Sequence, residues 1–269
     1  MPGGDTPFVT LLTDFGADGP WVGAMKAVLW SIQPEFRIID VDHCVAPHDI
    51  FGGAFTLYRT YKDYPSWTIH LCVVDPGVGG PRRPILAVVD DHYFVGPDNG
   101  LFSFLYQFGA VSQVIAITAD HYFRRPVSET FHGRDVFAPI AGWVSKGIDL
   151  TRFGEPVEDY VKIPVPVDRV VGESLAKGEV CAIDRFGNLI TNVRLETLRL
   201  LAEQSGKRRF KVLIAGQEAP MVTGGYGQDQ PLFALVNSSN LVEIACNGRS
   251  AAEALGLTAR GKEVGVMGF

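Results

Sequence analysis

Residues 68–91 read TIHLCVVDPGVGGPRRPILAVVDD. An apolar run ends in the carboxylate of Asp75. A turn of glycine and proline follows, then two adjacent arginines, then a second apolar run. Short apolar runs bounded by Gly and Pro mark strands rather than helices, so this stretch reads as strand, tight loop, strand. YFVGPD (93–98) reads as another strand directly after it.

Outward from there the pattern alternates. Toward the N-terminus, FVTLLT (8–13) is a strand, WVGAMKAVLWSIQP (21–34) has helical apolar spacing closed by Pro34, RIIDVD (37–42) is a strand, and FGGAFTLYRTYKDYP (51–65) is a helix carrying two glycines. Toward the C-terminus come a helix over 101–109, a strand over 111–118 and a helix over 135–147 that ends at Gly147. This alternation predicts an α/β domain, a mainly parallel sheet flanked by helices. Ligands of such sheets bind beyond the carboxyl ends of the strands, where Asp14 and Asp75 both fall.

Near residue 160 the pattern changes. VKIPVPVDRVVG carries prolines in an extended run and reads as a linker. EVCAID, LITNV, RFKVLIAG, PLFALVNS and LVEIAC then follow with few helical stretches between them. The expected organisation is an N-terminal α/β domain over 1–162, a linker over 163–175 and a smaller antiparallel β-barrel-like domain over 176–269.

Composition fits a globular chain that needs no staples. Of 269 residues 46% are apolar and 20% charged. A net charge of −6 and a pI near 5.5 argue against a nucleic-acid partner, which calls for a basic face. No apolar run reaches the length of a membrane span, and MPGGDTPFVTLL lacks the basic and apolar regions of a secretory leader. Cys44, Cys72, Cys181 and Cys246 form no CxxC, and Cys72 and Cys246 lie in apolar runs. These features predict a reduced, cytoplasmic protein with no membrane partner.

Four clusters carry chemistry, and each has a plain structural alternative. Asp75 and Arg82 either close the loop as an ion pair or form part of a reaction centre; GVGG followed by Arg-Arg-Pro lacks the Gly-Lys and hydroxyl of a nucleotide-triphosphate loop. In TFHGRDVF (130–137), His132 precedes a helix start, where an imidazole can titrate near neutrality or simply cap. In CAIDRFGNLITN (181–192), Asp184 and Asn188 either bond their own turn or, with Phe186, recognise a base and an amine. In VNSSNLVEIACNGRSAA (236–252), Ser238 and Ser239 read first as turn residues. His43 and His48 flank Pro47 with no further ligands nearby, so no metal site is expected.

Together, TDFG (13–16), DPGVG followed by Arg-Arg (75–83), FHGRD (131–135) and AIDRFGN (182–188) resemble the S-adenosyl-L-methionine (SAM) hydroxide adenosyltransferases, hydrolases related to the fluorinating and chlorinating enzymes. The resemblance implies hydrolysis of SAM to adenosine and L-methionine. It also implies a homotrimer with sites between subunits, and no cofactor beyond the substrate. It places Asp75, Arg82 and His132 on the attacking water, Asp14 on the ribose hydroxyls and Asp184 on the methionine amino group. Phe186 and Asn188 fall on the adenine, and Ser238 and Ser239 near the methionine carboxylate. Tyr226 matches an aromatic position near the adenine, in surroundings that depart from the usual pattern. The alternatives are a halogenase of the chlorinating kind and a SAM or adenosine sensor without turnover.

Overall fold

The computed structural model describes residues 6–269; residues 1–5, which open both the stretch read for a leader and the expected 1–162 domain, lie outside it. The chain divides into two compact units, Met1–Val165 and Pro166–Phe269.

In chain order the first unit holds β1 (Phe8–Thr13), α1 (Trp21–Ile32), β2 (Arg37–Asp42), α2 (Ile50–Thr60), β3 (Ile69–Val73), β4 (Pro84–Val89), β5 (His92–Pro97), α3 (Ser103–Phe108), β6 (Val111–Ile117), α4 (Ala138–Ser145) and β7 (Gly154–Pro156). Helix α1 buries Val22, Met25, Val28 and Leu29, one stripe at helical spacing. It stops before Pro34, whose ring disfavours a helical residue ahead of it. Helix α2 starts where the Asp49 carboxylate accepts the Gly52 amide. Its Gly53 is there for contact: a Cβ would come within 3.0 Å of Leu101 and 3.1 Å of Val74, so the missing side chain lets the helix lie close to the strand end that precedes Asp75.

The sheet order is β2-β1-β3-β5-β4-β6-β7. The neighbours β2, β1, β3 and β5 run parallel, as the alternation of strands and helices predicts. The remaining pairs, β5/β4, β4/β6 and β6/β7, are antiparallel. Only Asp90 and Asp91 separate β4 from β5, and so short a connection makes a hairpin and not a crossover. Because β5 lies between β3 and β4, the loop 74–83 has to span the end of β5. Thr13 pairs with Val73, so Asp14 and Asp75 leave neighbouring parallel strands at the same end of the sheet. The core beneath is apolar and closed, with Leu11, Leu29, Leu71, Val95 and Phe137 all inaccessible to solvent.

The second unit holds β8 (Arg169–Val171), β9 (Leu175–Ile183), β10 (Leu189–Arg194), α5 (Leu195–Ser205), β11 (Phe210–Ile214), β12 (Gln217–Pro220), β13 (Leu232–Val236), β14 (Leu241–Cys246), α6 (Ala251–Ala254) and β15 (Glu263–Gly268). Its sheet runs β12-β11-β15-β9-β10-β14-β13, antiparallel throughout, with β8 beside β9. A bridge between Met221 and Ala234 brings the two ends together, giving a nearly closed barrel. The stretch 163–175, read from its prolines as a linker, contributes β8. The sequence reading passes over helix α5, whose Leu195, Leu198, Leu201 and Ala202 recur at helical spacing; it buries Thr197, Leu198 and Leu201, and Gly206 in the left-handed region (φ 66°) ends it.

At the far end of β3 from Asp75, the wholly buried His70 places Nδ1 2.7 Å from Thr10 Oγ1 and Nε2 3.2 Å from Nδ1 of the buried His92. The His70 ring stacks on Phe94 at 4.8 Å. Burial lowers both imidazole pKa values below the usual 6.5, His70 furthest. The unfolded chain therefore binds protons more readily than the fold. The pair's contribution to stability is complete above pH 6.5 and drains away as pH falls below it. The thermal midpoint is expected to drop by several degrees between about pH 7 and pH 5.5, and less in a His92→Gln variant; an unchanged slope in that variant would assign the acid sensitivity to other groups.

Candidate active site

Asp75 enters the loop at the end of β3. Its carbonyl accepts the Val78 amide at 3.2 Å, and the Gly77 carbonyl accepts Gly80 N at 3.0 Å, so the loop folds as consecutive tight turns. Gly79, at φ 76°, faces the backbone of Glu129; a Cβ would lie 2.4 Å from the Glu129 carbonyl oxygen. Only glycine allows this approach, and the approach brings the 124–132 segment to the loop.

The turns aim Arg82 back at Asp75. Arg82 Nε donates to both carboxylate oxygens at 3.1 Å and Nη2 to Oδ2 at 2.5 Å. Nη2 also lies 2.8 Å from His132 Nδ1, and the guanidinium sits 5.2 Å from the centre of the Phe137 ring. The Asp75 and Arg82 side chains are 3% and 10% exposed. A bidentate pair this buried fixes geometry, and removing one member strands the other charge. The sequence-predicted triad is thus one connected cluster, although His132 lies 50 residues beyond Arg82. Its order is carboxylate, guanidinium, imidazole. Because a guanidinium can only donate, His132 Nδ1 is the acceptor and the neutral ring carries its proton on Nε2. Burial, then the charge of Arg82, lowers the His132 pKa; Asp75 and Asp135 oppose this without cancelling it.

His132 precedes a short π-helical turn, Gly133–Phe137, where the sequence pattern predicted an ordinary helix from residue 135. Asp135 anchors that turn. Wholly buried, it accepts from Arg124 Nη1 (2.9 Å), Arg134 Nε (2.7 Å), Arg134 Nη2 (2.8 Å) and the Ser128 amide (3.0 Å). Burial pushes this carboxyl pKa up, but those donors outweigh it and hold the value below normal. Asp135 is the last residue of the FHGRD motif, and its role was missed because sequence cannot show that four donors meet at one carboxylate. Asp14, half-buried, accepts the His48 amide at 2.9 Å on Oδ2. The next residue, Phe15, packs edge-on against Phe131, with centroids 6.1 Å apart, which ties the Asp14 loop to the His132 loop. His43 and His48 do not act together: His43 Nδ1 faces Thr13 Oγ1 at 2.9 Å, while His48 offers its backbone amide to Asp14.

The barrel unit carries a separate cavity of 610 Å³ whose walls include Asp184, Phe186, Asn188, Tyr226, Arg249 and Ser250. Asp184 Oδ1 accepts the Phe186 and Asn188 amides at 2.9 and 2.8 Å, and Oδ2 accepts Asn188 Nδ2 at 3.0 Å. The turn therefore bonds itself, as the plain reading of Asp184 and Asn188 has it, and the same bonds leave the Phe186 ring 77% exposed at the cavity. Gly187 (φ 82°) packs so closely on Ser250 that a Cβ would lie 2.1 Å from its hydroxyl. Ser238 and Ser239 are not among the cavity walls. They occupy the turn from β13 to β14, where Asn237 Oδ1 accepts the Ser239 and Leu241 amides at 3.0 and 3.1 Å.

Comparison with known proteins bears directly on these motifs. The model of the SAM hydroxide adenosyltransferase N-terminal domain matches residues 9–154, and that of the C-terminal domain matches residues 178–264. The chain is 36% identical over 259 residues to an (R)-S-adenosyl-L-methionine hydrolase of Salinispora tropica, covering 94% of this chain and 95% of that one. Identity to the protein of the same name from Thermus thermophilus is 34% over 258 residues, covering 93% and 95%. A fluorinase of an Actinoplanes species is more distant, at 22% over 219 residues, covering 72% and 74%. Among solved structures, an uncharacterized conserved protein from Thermotoga maritima superposes with a TM-score of 0.88 at 32% identity, covering 96% of this chain and 99% of that one. Both domain models match in order and the relatives align over nearly the whole chain: the protein belongs to the SAM hydroxide adenosyltransferase family.

Proposed function

We propose that the protein hydrolyses SAM to adenosine and L-methionine, with Asp75, Arg82 and His132 holding the attacking water. The observation that carries this reading is the hydrogen-bonded convergence of those three side chains at the carboxyl end of β3. Relatives that share more than a third of their residues with this chain are named as hydrolases of the same substrate.

The chemistry asks little of the leaving group. C5′ of SAM bears a sulfonium, and as the C5′–S bond breaks the electron pair returns to sulfur, giving the neutral thioether of methionine. The demand falls on the nucleophile, since bulk water has a pKa of about 15.7. The water oxygen attacks C5′ in line with sulfur, forms the C–O bond of adenosine and releases one proton. Arg82 stabilises the hydroxide character that develops on this oxygen. Neutral His132, its Nδ1 engaged by Arg82, presents an Nε2–H that orients the water. Asp75 keeps lone pairs beyond those Arg82 occupies and is the basic group of the cluster that can take the proton. Hydroxide and sulfonium attract more strongly as water is excluded, and fixing their approach within about 3–3.5 Å supplies much of the acceleration. The reaction calls on no metal or cofactor.

In the same proposal Asp14 binds the ribose hydroxyls, Phe186 and Asn188 the adenine, Asp184 the amino group, and Ser238 and Ser239 the carboxylate end. Phe186 and Tyr226, 77% and 51% exposed in the single chain, support binding surfaces that are completed in an assembly, and we infer a homotrimer with its sites at subunit interfaces. Four free cysteines support a reducing, cytoplasmic setting. The halide-using alternative has less support, because Asp75 and His132 stand where the resemblance places other residues, notably a tyrosine, in halogenating enzymes.

Turnover of SAM in oxygen-18 water is expected to place the label on the adenosine 5′-hydroxyl. Chloride-dependent 5′-chloro-5′-deoxyadenosine would replace this reading with the halogenase, and calorimetric SAM binding without product would replace it with the sensor. Asp75→Ala, Arg82→Ala and His132→Ala should each lower kcat by about 10²-fold or more while changing KM only severalfold; a rise in KM alone would make them substrate contacts. A protonated His132 can no longer accept from Arg82. With its pKa below 6.5, kcat/KM should therefore be flat at neutral pH and fall on the acid side below pH 6.5, and the residual activity of His132→Asn should lose that limb. An acid limb that persists in His132→Asn would assign it to another group.

A further inference from the structure

Glu243 lies in the middle of β14, opposite Ile190 of β10 and Leu235 of β13. Its side chain shares a sheet face with Phe233, Leu235 and Ala245, a small apolar cluster, and the residue is 3% exposed. A charged residue in such surroundings is rare unless it is partnered. Glu243 has two partners, both neutral. Tyr226 Oη donates to Oε1 at 2.7 Å, and Asn237 Nδ2 donates to Oε2 at 3.0 Å. No ion pair to Glu243 is present among the described residues.

What those partners do gives the carboxylate its meaning. Tyr226 is a wall of the 610 Å³ cavity, on a glycine-rich segment, GGYGQ (224–228), that supplies little packing of its own. Its ring is half exposed while its hydroxyl is tied inward. Burial and the bond to Glu243 push the phenol pKa up to about 12, and the protonated hydroxyl donates to Oε1. Asn237 cannot turn its amide over, because its Oδ1 already accepts the Ser239 and Leu241 amides that shape the turn bearing Ser238 and Ser239. One buried carboxylate thus fixes an aromatic wall on one side and a polar turn on the other.

We propose that Glu243 is a positioning residue for substrate binding, which holds the Tyr226 ring at the purine cavity and locks the 237–240 turn in the same act. The inference rests on the reading of this cavity as the adenosine-binding surface. A carboxylate suits the task better than a neutral group, since both its oxygens accept and both partners donate. Glutamine at this position can still engage both partners, provided its amide nitrogen donates to the Tyr226 oxygen. Alanine can engage neither.

The test measures adenosine affinity by calorimetry, together with SAM kinetics, for wild type, Glu243→Ala, Glu243→Gln, Tyr226→Phe and the Glu243→Ala/Tyr226→Phe double variant. Glu243→Ala is expected to weaken adenosine about tenfold and to raise KM for SAM more than it lowers kcat. Glu243→Gln should stay within about threefold of wild type. Adding Tyr226→Phe to Glu243→Ala should cost nothing further, because the hydroxyl has already lost its anchor. An unchanged affinity in Glu243→Ala, or losses that multiply in the double variant, overturns the inference. If Glu243→Ala does not fold, Tyr226→Phe decides alone: it keeps the ring, must weaken adenosine at least threefold, and overturns the inference if it does not. A wild type that neither binds adenosine nor turns over SAM fails the functional reading itself, whereas normal wild-type binding with an indifferent Glu243→Ala fails only this one.

Discussion

The structure of the first unit turns on Arg82. Its guanidinium is clamped by both oxygens of Asp75 and reaches His132 from the same nitrogen that meets Asp75. Nearly every local feature around it serves that placement. The strand order puts β5 between β3 and β4, so the connecting loop crosses the open end of the sheet. Gly79 lets that loop touch the Glu129 backbone, and Asp135 gathers the segment on the other side. Without the clamp, a buried cation and a buried anion would each face desolvation alone, a penalty of several kcal/mol per ion.

Of the two readings of the loop that sequence leaves open, the ion pair is present, and its geometry is compatible with the reaction centre proposed above. The ion pair ties the loop shut, and in doing so it holds a guanidinium beside a neutral imidazole. A surface salt bridge, worth little and free to rotate, would supply neither.

Much of this was legible from residues alone. The strands around Asp14 and Asp75 stand out because apolar runs end abruptly in Gly, Pro and Asp, and the change to a second unit shows as prolines followed by short strands. Other features were not legible, for definite reasons. The hairpin direction of β4 and β5 depends on a two-residue connection that a strand-helix alternation obscures. Helix α5 is passed over although Leu195, Leu198, Leu201 and Ala202 recur at helical spacing before Gly206, because it stands among short strands in a unit read as β. Asp135 and Glu243 look like ordinary surface charges in sequence, because burial of an acidic residue is decided by how loops fold back their donors: Arg124 and Ser128 for one, Tyr226 and Asn237 for the other. For the motif at 182–188 sequence offers both a self-bonded turn and a ligand site, and only the structure shows that much of the hydrogen-bonding capacity of Asp184 and Asn188 goes to their own turn.

The two buried acids differ in a way that follows from their neighbours. Asp135 is surrounded by guanidinium groups, so its charge is cancelled where it stands and it acts as a structural anchor. Glu243 has only a phenol and an amide, neutral groups that satisfy its two oxygens one each. The phenol belongs to the glycine-rich segment 224–228 and the amide to the turn between β13 and β14, so this carboxylate joins two segments. Asp135 instead draws its donors from residues 124, 128 and 134, on either side of His132, and stiffens one turn. The same residue chemistry thus serves as a local anchor where guanidinium groups surround it and as a tie between segments where single neutral donors reach it.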